Sequence, residues 1–195
     1  MSGNLTRLHP DQQGAGQDEC PDRKHTSVMT GANPAGRSAV LHYETVRPEW
    51  IDYNGHMNLA YYVLVFDHAT DVLLDTLGIG SNYAGRDRFS TFVVEAHTRY
   101  EREVHVGDPL RVETFLIDAD AKRLHFGHAM HHATEGWRSA TQELMSLHID
   151  LAARRTAPFP VDRMKVIEAA LLSRPPAPDW VGRRISMPPG NGFGA

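Results

Sequence analysis

Asn58-Leu59-Ala60-Tyr61-Tyr62-Val63-Leu64-Val65-Phe66-Asp67-His68-Ala69-Thr70-Asp71-Val72-Leu73-Leu74-Asp75-Thr76-Leu77-Gly78 carries the longest regular pattern in the chain, and the architecture turns on it. Phe66, Ala69, Leu73 and Leu77 recur at steps of three and four residues, the spacing of one helix face. Asn58 is a good N-cap, since its side-chain oxygen can accept an orphan N–H of the first turn. Gly78 stands where helices commonly end in a left-handed residue. The spacing predicts a helix from Leu59 to Leu77. Its first two turns, Leu59 to Phe66, are apolar on every side, and a helix of that kind is enclosed by other elements.

The rest of the chain supplies the enclosure. Four strand-like runs follow, from Thr91 to Val104, Leu110 to Ile117, Arg123 to Ala133 and Trp137 to Leu151. In the first, alternation places Phe92, Val94, Ala96 and Tyr100 on one face and Glu95, His97, Arg99 and Glu101 on the other. Gly107-Asp108-Pro109 reads as a turn and Glu135-Gly136 as a hairpin. Upstream, Val40 to Val46 reads as a further strand, which Pro48 ends. One long helix and five strands, without alternating helices, exclude a doubly wound parallel sheet. The fold class is therefore α+β, a strand and a buried helix followed by an antiparallel meander wrapped around that helix.

Three regions are expected. Residues 1–38, rich in Gly, Asn, Gln, Asp and Pro, read as a disordered tail, with Met29 an alternative start. Residues 39–173 form the domain, closed by a short amphipathic helix from Val161 to Ser173 after Pro158-Phe159-Pro160. Residues 174–195 form a Pro/Gly-rich extension. The 195 residues are 41% hydrophobic and 23% charged, which suits a globular domain. A net charge of -4 gives no general attraction to nucleic acid or an anionic membrane. The longest apolar run, Leu59 to Phe66, is too short to span a bilayer, and no signal-peptide stretch opens the chain. The single cysteine, Cys20, allows no internal disulfide, and a cytoplasmic setting is expected.

The chemistry concentrates just before the helix, in Asp52-Tyr53-Asn54-Gly55-His56-Met57-Asn58. A carboxylate there lies close to unpaired backbone N–H groups and the positive end of a helix dipole. Such N–H groups polarise a carbonyl and stabilise the oxyanion formed on attack. Asp52 can then serve as nucleophile or as the general base that activates water. Taken alone, the same residues read equally as ordinary turn and cap positions.

Asp52, Gly55, His56, Asn58 and Tyr62, with their spacing, resemble the signature of the 4-hydroxybenzoyl-CoA thioesterase group of the hotdog superfamily. The likeness runs over roughly residues 40–160. It implies a hotdog fold, a homodimer or dimer of dimers, and hydrolysis of an acyl-CoA thioester without a cofactor. It also implies that Asp52 is the essential carboxylate, with His56 and Asn58 shaping its loop. Two positions depart from the pattern: Leu59 stands where many members have a second Asn, and Asp67-His68-Ala69-Thr70 replaces Glu-x-Ala-Arg. Phe92 to Tyr100 and Pro158-Phe159-Pro160 are more similar to the betainyl-CoA thioesterases of carnitine degradation.

A betainyl group carries a quaternary ammonium, which aromatic faces typically hold. Trp50, Tyr53, Tyr61, Tyr62 and Phe92 surround the proposed site in sequence. Tyr61, Tyr62 and Phe92 are expected in the core, which leaves Trp50 as the leading cage residue. Glu95 is a second carboxylate, which a dimer could bring near the partner's Asp52. His125, His128, His131 and His132 alternate between strand faces, so no metal site is expected there. CoA phosphates would meet surface cations, with Arg86, Arg88, Lys122, Arg123, Arg154 and Arg155 as candidates. Two other functions compete. A hydratase or dehydratase would cast His56 and Glu95 as its acid–base pair, but no His-Phe-Pro pattern is present. A non-catalytic acyl-CoA-binding module would have no need of Asp52.

Overall fold

The structure, a computed structural model, describes residues 29–32 and 38–186. The rest of the expected 1–38 tail and the terminal 187–195 lie outside the described residues. In chain order the elements are β1 (Met29–Ala32), β2 (Ser38–Thr45), α1 (Leu59–Thr76), α2 (Ser81–Asp87), β3 (Phe89–Tyr100), β4 (Pro109–Ala119), β5 (Arg123–His132), β6 (Arg138–Asp150), β7 (Arg155–Thr156) and α3 (Val161–Leu172). The sheet is antiparallel in the order β1-β2-β4-β5-β6-β3, with β7 on β6, and it curls around α1 as the hotdog resemblance implies.

The helix forms where its periodicity places it. Asn58 Oδ1 accepts the Ala60 N–H at 3.0 Å, and Gly78 follows at φ +70°. Val65, Phe66 and Ala69 are fully buried against Val112 of β4, Met130 of β5 and Ala140 of β6. Leu73 and Leu77 pack further along with Leu116, Leu124, Phe126 and Ile167. A buried leucine or phenylalanine of this kind stabilises the fold by about 2 kcal/mol.

His128 sits between α1 and the sheet with no solvent exposure. Thr70 Oγ1 donates to the Phe66 carbonyl at 3.0 Å and lies 2.9 Å from His128 Nε2, so Nε2 carries the proton. Thr114 Oγ1, 2.8 Å from Nδ1, must then donate. Burial pushes this imidazole down to about 3. A second bonded cluster joins β2 to α1. Glu44 Oε2 lies 3.1 Å from both His42 Nε2 and His68 Nδ1. Burial alone would raise the Glu44 carboxyl, but bonding to the two imidazoles, His42 foremost, draws it down to about 2.

Several expectations need correction. The structured region reaches back to Met29, since β1 pairs with β2 from Met29↔Leu41 to Ala32↔Ser38. A short helix, α2, occupies the gap between Gly78 and the next strand. The face assignment on β3 fails at a bulge between Val93 and Glu95, which interrupts the two-residue alternation. Part of the 174–195 extension docks on the domain. Trp180 is buried on the outer face of the sheet against Phe115 and Ala129. Its ring covers Gly127, where a Cβ would approach it to 2.7 Å, so a side chain is excluded there. Finally, the enclosure of α1 is incomplete within one chain. Leu59 is 63% exposed and Val63 43% exposed, and edge strand β3 leaves Phe92, Val93 and Val94 open as well.

Candidate active site

The Asp52 loop is a closed hairpin. Its stems meet at a bridge between Ile51 and Met57, and the Asp52 N–H donates to the His56 carbonyl at 3.1 Å. The tip is a four-residue turn in which the Gly55 N–H donates to the Asp52 carbonyl at 3.0 Å. Gly55 has φ +84°, a conformation that any side chain would strain. Three contacts fix the hairpin to the fold. Trp50 is buried, its carbonyl accepts the Asn58 N–H at 2.9 Å, and the Met57 N–H donates to the Val104 carbonyl at 2.9 Å.

This frame aims one carboxylate oxygen. Asp52 Oδ1 accepts the Asn54 N–H at 2.8 Å, while Oδ2 has no partner among the described residues. At the start of α1, Asn58 takes the Ala60 N–H on its side chain and the Tyr61 N–H on its carbonyl. The Leu59 N–H is left without a partner among the described residues, at the positive end of an 18-residue helix. A half-buried carboxylate and an unpaired amide thus flank one short loop. Together they can hold a carbonyl and deliver a nucleophile to it. His56 contributes its backbone carbonyl rather than its ring, whose Nδ1 lies 3.5 Å from the Met57 carbonyl.

The aromatic residues are not gathered as expected. Trp50 is only 3% exposed, its indole stacked on Tyr61 at 5.5 Å and met by the Arg47 guanidinium at 5.0 Å. In this chain it packs as a core residue, with its faces taken by Tyr61 and Arg47. Phe92, expected in the core, is half exposed on edge strand β3. Tyr62 is in the core, edge-on to Tyr100 at 5.2 Å, and Tyr53 stands almost fully exposed at the hairpin tip. Glu95 is exposed on β3, beside the bulge.

Two clefts escaped the sequence reading. One of about 430 Å³ lies between α1 and β3, lined by Asp67, Thr70, Asp71, Phe92 and Val93 among others. Another of about 530 Å³ brings Glu101, Glu103, Asp108 and Glu135 around Trp137, whose ring the Arg102 guanidinium covers at 4.0 Å. Of the surface cations, Arg86 is paired with Asp87 and Arg123 with Asp120.

Residues 46–171 match the model of the thioesterase-like superfamily. The chain belongs to that superfamily. A thioester hydrolase is the enzyme class that this membership gives. The betainyl-CoA thioesterase of Pseudomonas aeruginosa is 41% identical over 150 residues, covering 75% of this chain and 94% of that protein. The L-carnitine dehydrogenase/betainyl-CoA thioesterase of Agrobacterium fabrum is 35% identical over 95% of this chain, which spans only 38% of that longer protein. Among solved structures, a putative thioesterase from Pseudomonas putida superposes with a TM-score of 0.66 at 35% identity, over 77% of this chain and 97% of that one. A Staphylococcus aureus hypothetical protein, solved in complex with CoA, superposes with a TM-score of 0.73 at 28% identity, over 78% and 97% respectively. Among the described residues no helix is long and apolar enough to cross a membrane.

Proposed function

We propose that this protein hydrolyses betainyl-CoA to betaine and CoA, with Asp52 as its catalytic carboxylate. The observation that carries the reading is the half-free Asp52 carboxylate, held on a closed hairpin, with the unpaired Leu59 N–H opening α1 directly after that hairpin. The thioester carbonyl oxygen takes the Leu59 N–H, which stabilises the charge that develops there on attack. Asp52 either attacks the carbonyl carbon itself, giving a mixed anhydride that water opens, or takes a proton from the attacking water. CoA leaves as the thiolate in both routes. Hydrolysis in ¹⁸O-labelled water under single-turnover conditions bears on the choice, because label appears in Asp52 only by the anhydride route, when water opens the anhydride at the Asp52 carbonyl.

The betainyl-CoA thioesterase activity for which the relatives are named supports the acyl group. The working unit in this reading is a homodimer in the cytoplasm. Its support is the open edge of β3, where Phe92, Val93 and Val94 are each about half exposed, together with the uncovered Leu59 and Val63 of α1. A second copy pairing along β3 buries these side chains and completes the enclosure that α1 lacks. Glu95, on the same edge, then faces the partner's site, and Glu95→Gln raises KM for the cationic acyl group more than it lowers kcat.

The test is a thiol-release assay on purified protein with betainyl-CoA, 4-hydroxybenzoyl-CoA and saturated acyl-CoAs. Release of CoA with betainyl-CoA preferred supports the reading. A betainyl-CoA rate no better than that with acetyl-CoA removes the betainyl assignment, and absence of thiol release removes the hydrolase.

A further inference from the structure

Outside the Asp52 site, the described residues hold one group of metal-capable side chains: His42 and Glu44 of β2 with His68 of α1, their ligand atoms all within 4.8 Å of one another. His42 and Glu44 stand two positions apart on a strand and so share its inner face. His68 comes down on them from the helix, 24 residues away in sequence from Glu44. We propose that these three residues form a binding site for one divalent transition-metal ion, best matched by Zn²⁺, which ties the middle of α1 to β2.

Geometry carries the assignment. Zinc holds imidazole nitrogen and carboxylate oxygen at about 2.0–2.2 Å, so neighbouring tetrahedral ligands lie roughly 3.3 Å apart. Glu44 Oε2 lies 3.1 Å from His42 Nε2 and 3.1 Å from His68 Nδ1, close to that spacing. The donor set points the same way. Two imidazoles and one carboxylate suit zinc and its first-row neighbours, whereas magnesium and calcium prefer oxygen ligands throughout. The surroundings also fit. Arg47 Nη2 lies 3.4 Å from Glu44 Oε1, and so orients the carboxylate with its other oxygen toward the histidines. His42 and Glu44 are nearly closed off, but His68 keeps 30% of its side chain exposed, which leaves an entry path and a position for a water ligand.

The competing account is a protonated His–Glu–His clamp that needs no ion. His68→Gln separates the two, since the amide can still donate a hydrogen bond to Glu44 but cannot replace an imidazole ligand. The measurement is calorimetric titration of the chelator-treated full chain with Zn²⁺, together with the visible spectrum on adding Co²⁺. The wild-type chain is expected to take up one tight ion, to show a tetrahedral Co²⁺ spectrum and to melt at a higher temperature with Zn²⁺. In His68→Gln and Glu44→Gln that binding should weaken by about 100-fold or more, while the exposed-histidine control His105→Gln keeps it. No tight site in the wild-type chain, or a tight site unchanged in His68→Gln, overturns the proposal.

Discussion

Asp52 Oδ1 accepts the Asn54 backbone N–H at 2.8 Å, which restrains the rotation of the carboxylate and leaves Oδ2 without a partner among the described residues. The turn that makes this bond possible closes through Gly55 at φ +84°. A Cβ on Gly55 would touch nothing within 4 Å, so any penalty there is one of backbone conformation alone. Gly55→Ala should therefore cost about 1 kcal/mol in stability. It should lower kcat by more than that loss explains, because relaxing the turn moves Asp52. Chemical denaturation and steady-state kinetics on the same preparation check both, and Gly55→Asn, better tolerated at positive φ, should lie between Ala and wild type.

The edge strand gives a prediction about assembly. Val93→Lys places a charge on the open face of β3 without disturbing the interior, since Val93 is 47% exposed in one chain. Light scattering after size-exclusion chromatography should find a dimer for the wild-type chain and a monomer for the variant, with activity lost in step. A wild-type monomer that retains full activity would show that α1 needs no partner.

Stability should fall in mild acid. His128 is held neutral by burial, its pKa taken from an ordinary 6.5 down to about 3, and burial lowers that of His148 as well. Below about 6.5 the unfolded chain binds protons that the folded chain refuses. The contribution of His128 is therefore complete above that pH and is lost progressively toward about pH 3. For a single group the slope approaches about 1.4 kcal/mol per pH unit. Urea unfolding between about pH 7 and about pH 5 measures it, and the slope should be shallower in His128→Gln, whose amide carries no titrating proton.

Trp180 gives the C-terminal segment a structural role. Its ring fills the space over Gly127 and packs edge-on against Phe115 at 5.8 Å, while the Gly182 N–H donates to Glu143 Oε2 at 2.7 Å. Trp180→Ala should cost about 3 kcal/mol. Gly127→Val should release the segment in an otherwise folded domain. Limited proteolysis, with cleavage near Pro175–Pro178 appearing in the variants alone, would register both effects.

What the sequence made legible follows from the length of its signals. The α1 helix carries four apolar residues at helical spacing between an N-cap and a terminal glycine, and the meander carries long alternating runs bounded by glycine turns. The Asp52 hairpin was readable because Asn54-Gly55 marks its tip. Short or long-range features were not. The α2 helix has seven residues and almost no apolar period, so nothing local distinguishes it from a loop. Trp180 sits in a proline-rich segment whose docking depends on a glycine more than fifty residues earlier. The burial of Trp50 was not legible because a residue next to a loop in sequence can point inward to anchor it. His42, Glu44 and His68 escaped notice because a His-x-Glu spacing means little until the helix brings a third ligand. The exposure of Phe92 depends on which strand forms the sheet edge, and alternation within one strand does not carry that information.

Thioester hydrolysis by the Asp52 carboxylate is the step on which the proposed function stands. It is probed by CoA release from betainyl-CoA by wild-type protein and by Asp52→Asn, with the two melting temperatures measured alongside. The substituted amide would keep an oxygen for the Asn54 N–H and would lose the charge and basicity of the acid. The expected outcome is a fall in kcat of about a hundredfold or more, with little change in KM and a melting temperature within a few degrees of wild type. A folded Asp52→Asn variant that releases CoA at close to the wild-type rate would rule out Asp52 as the catalytic carboxylate.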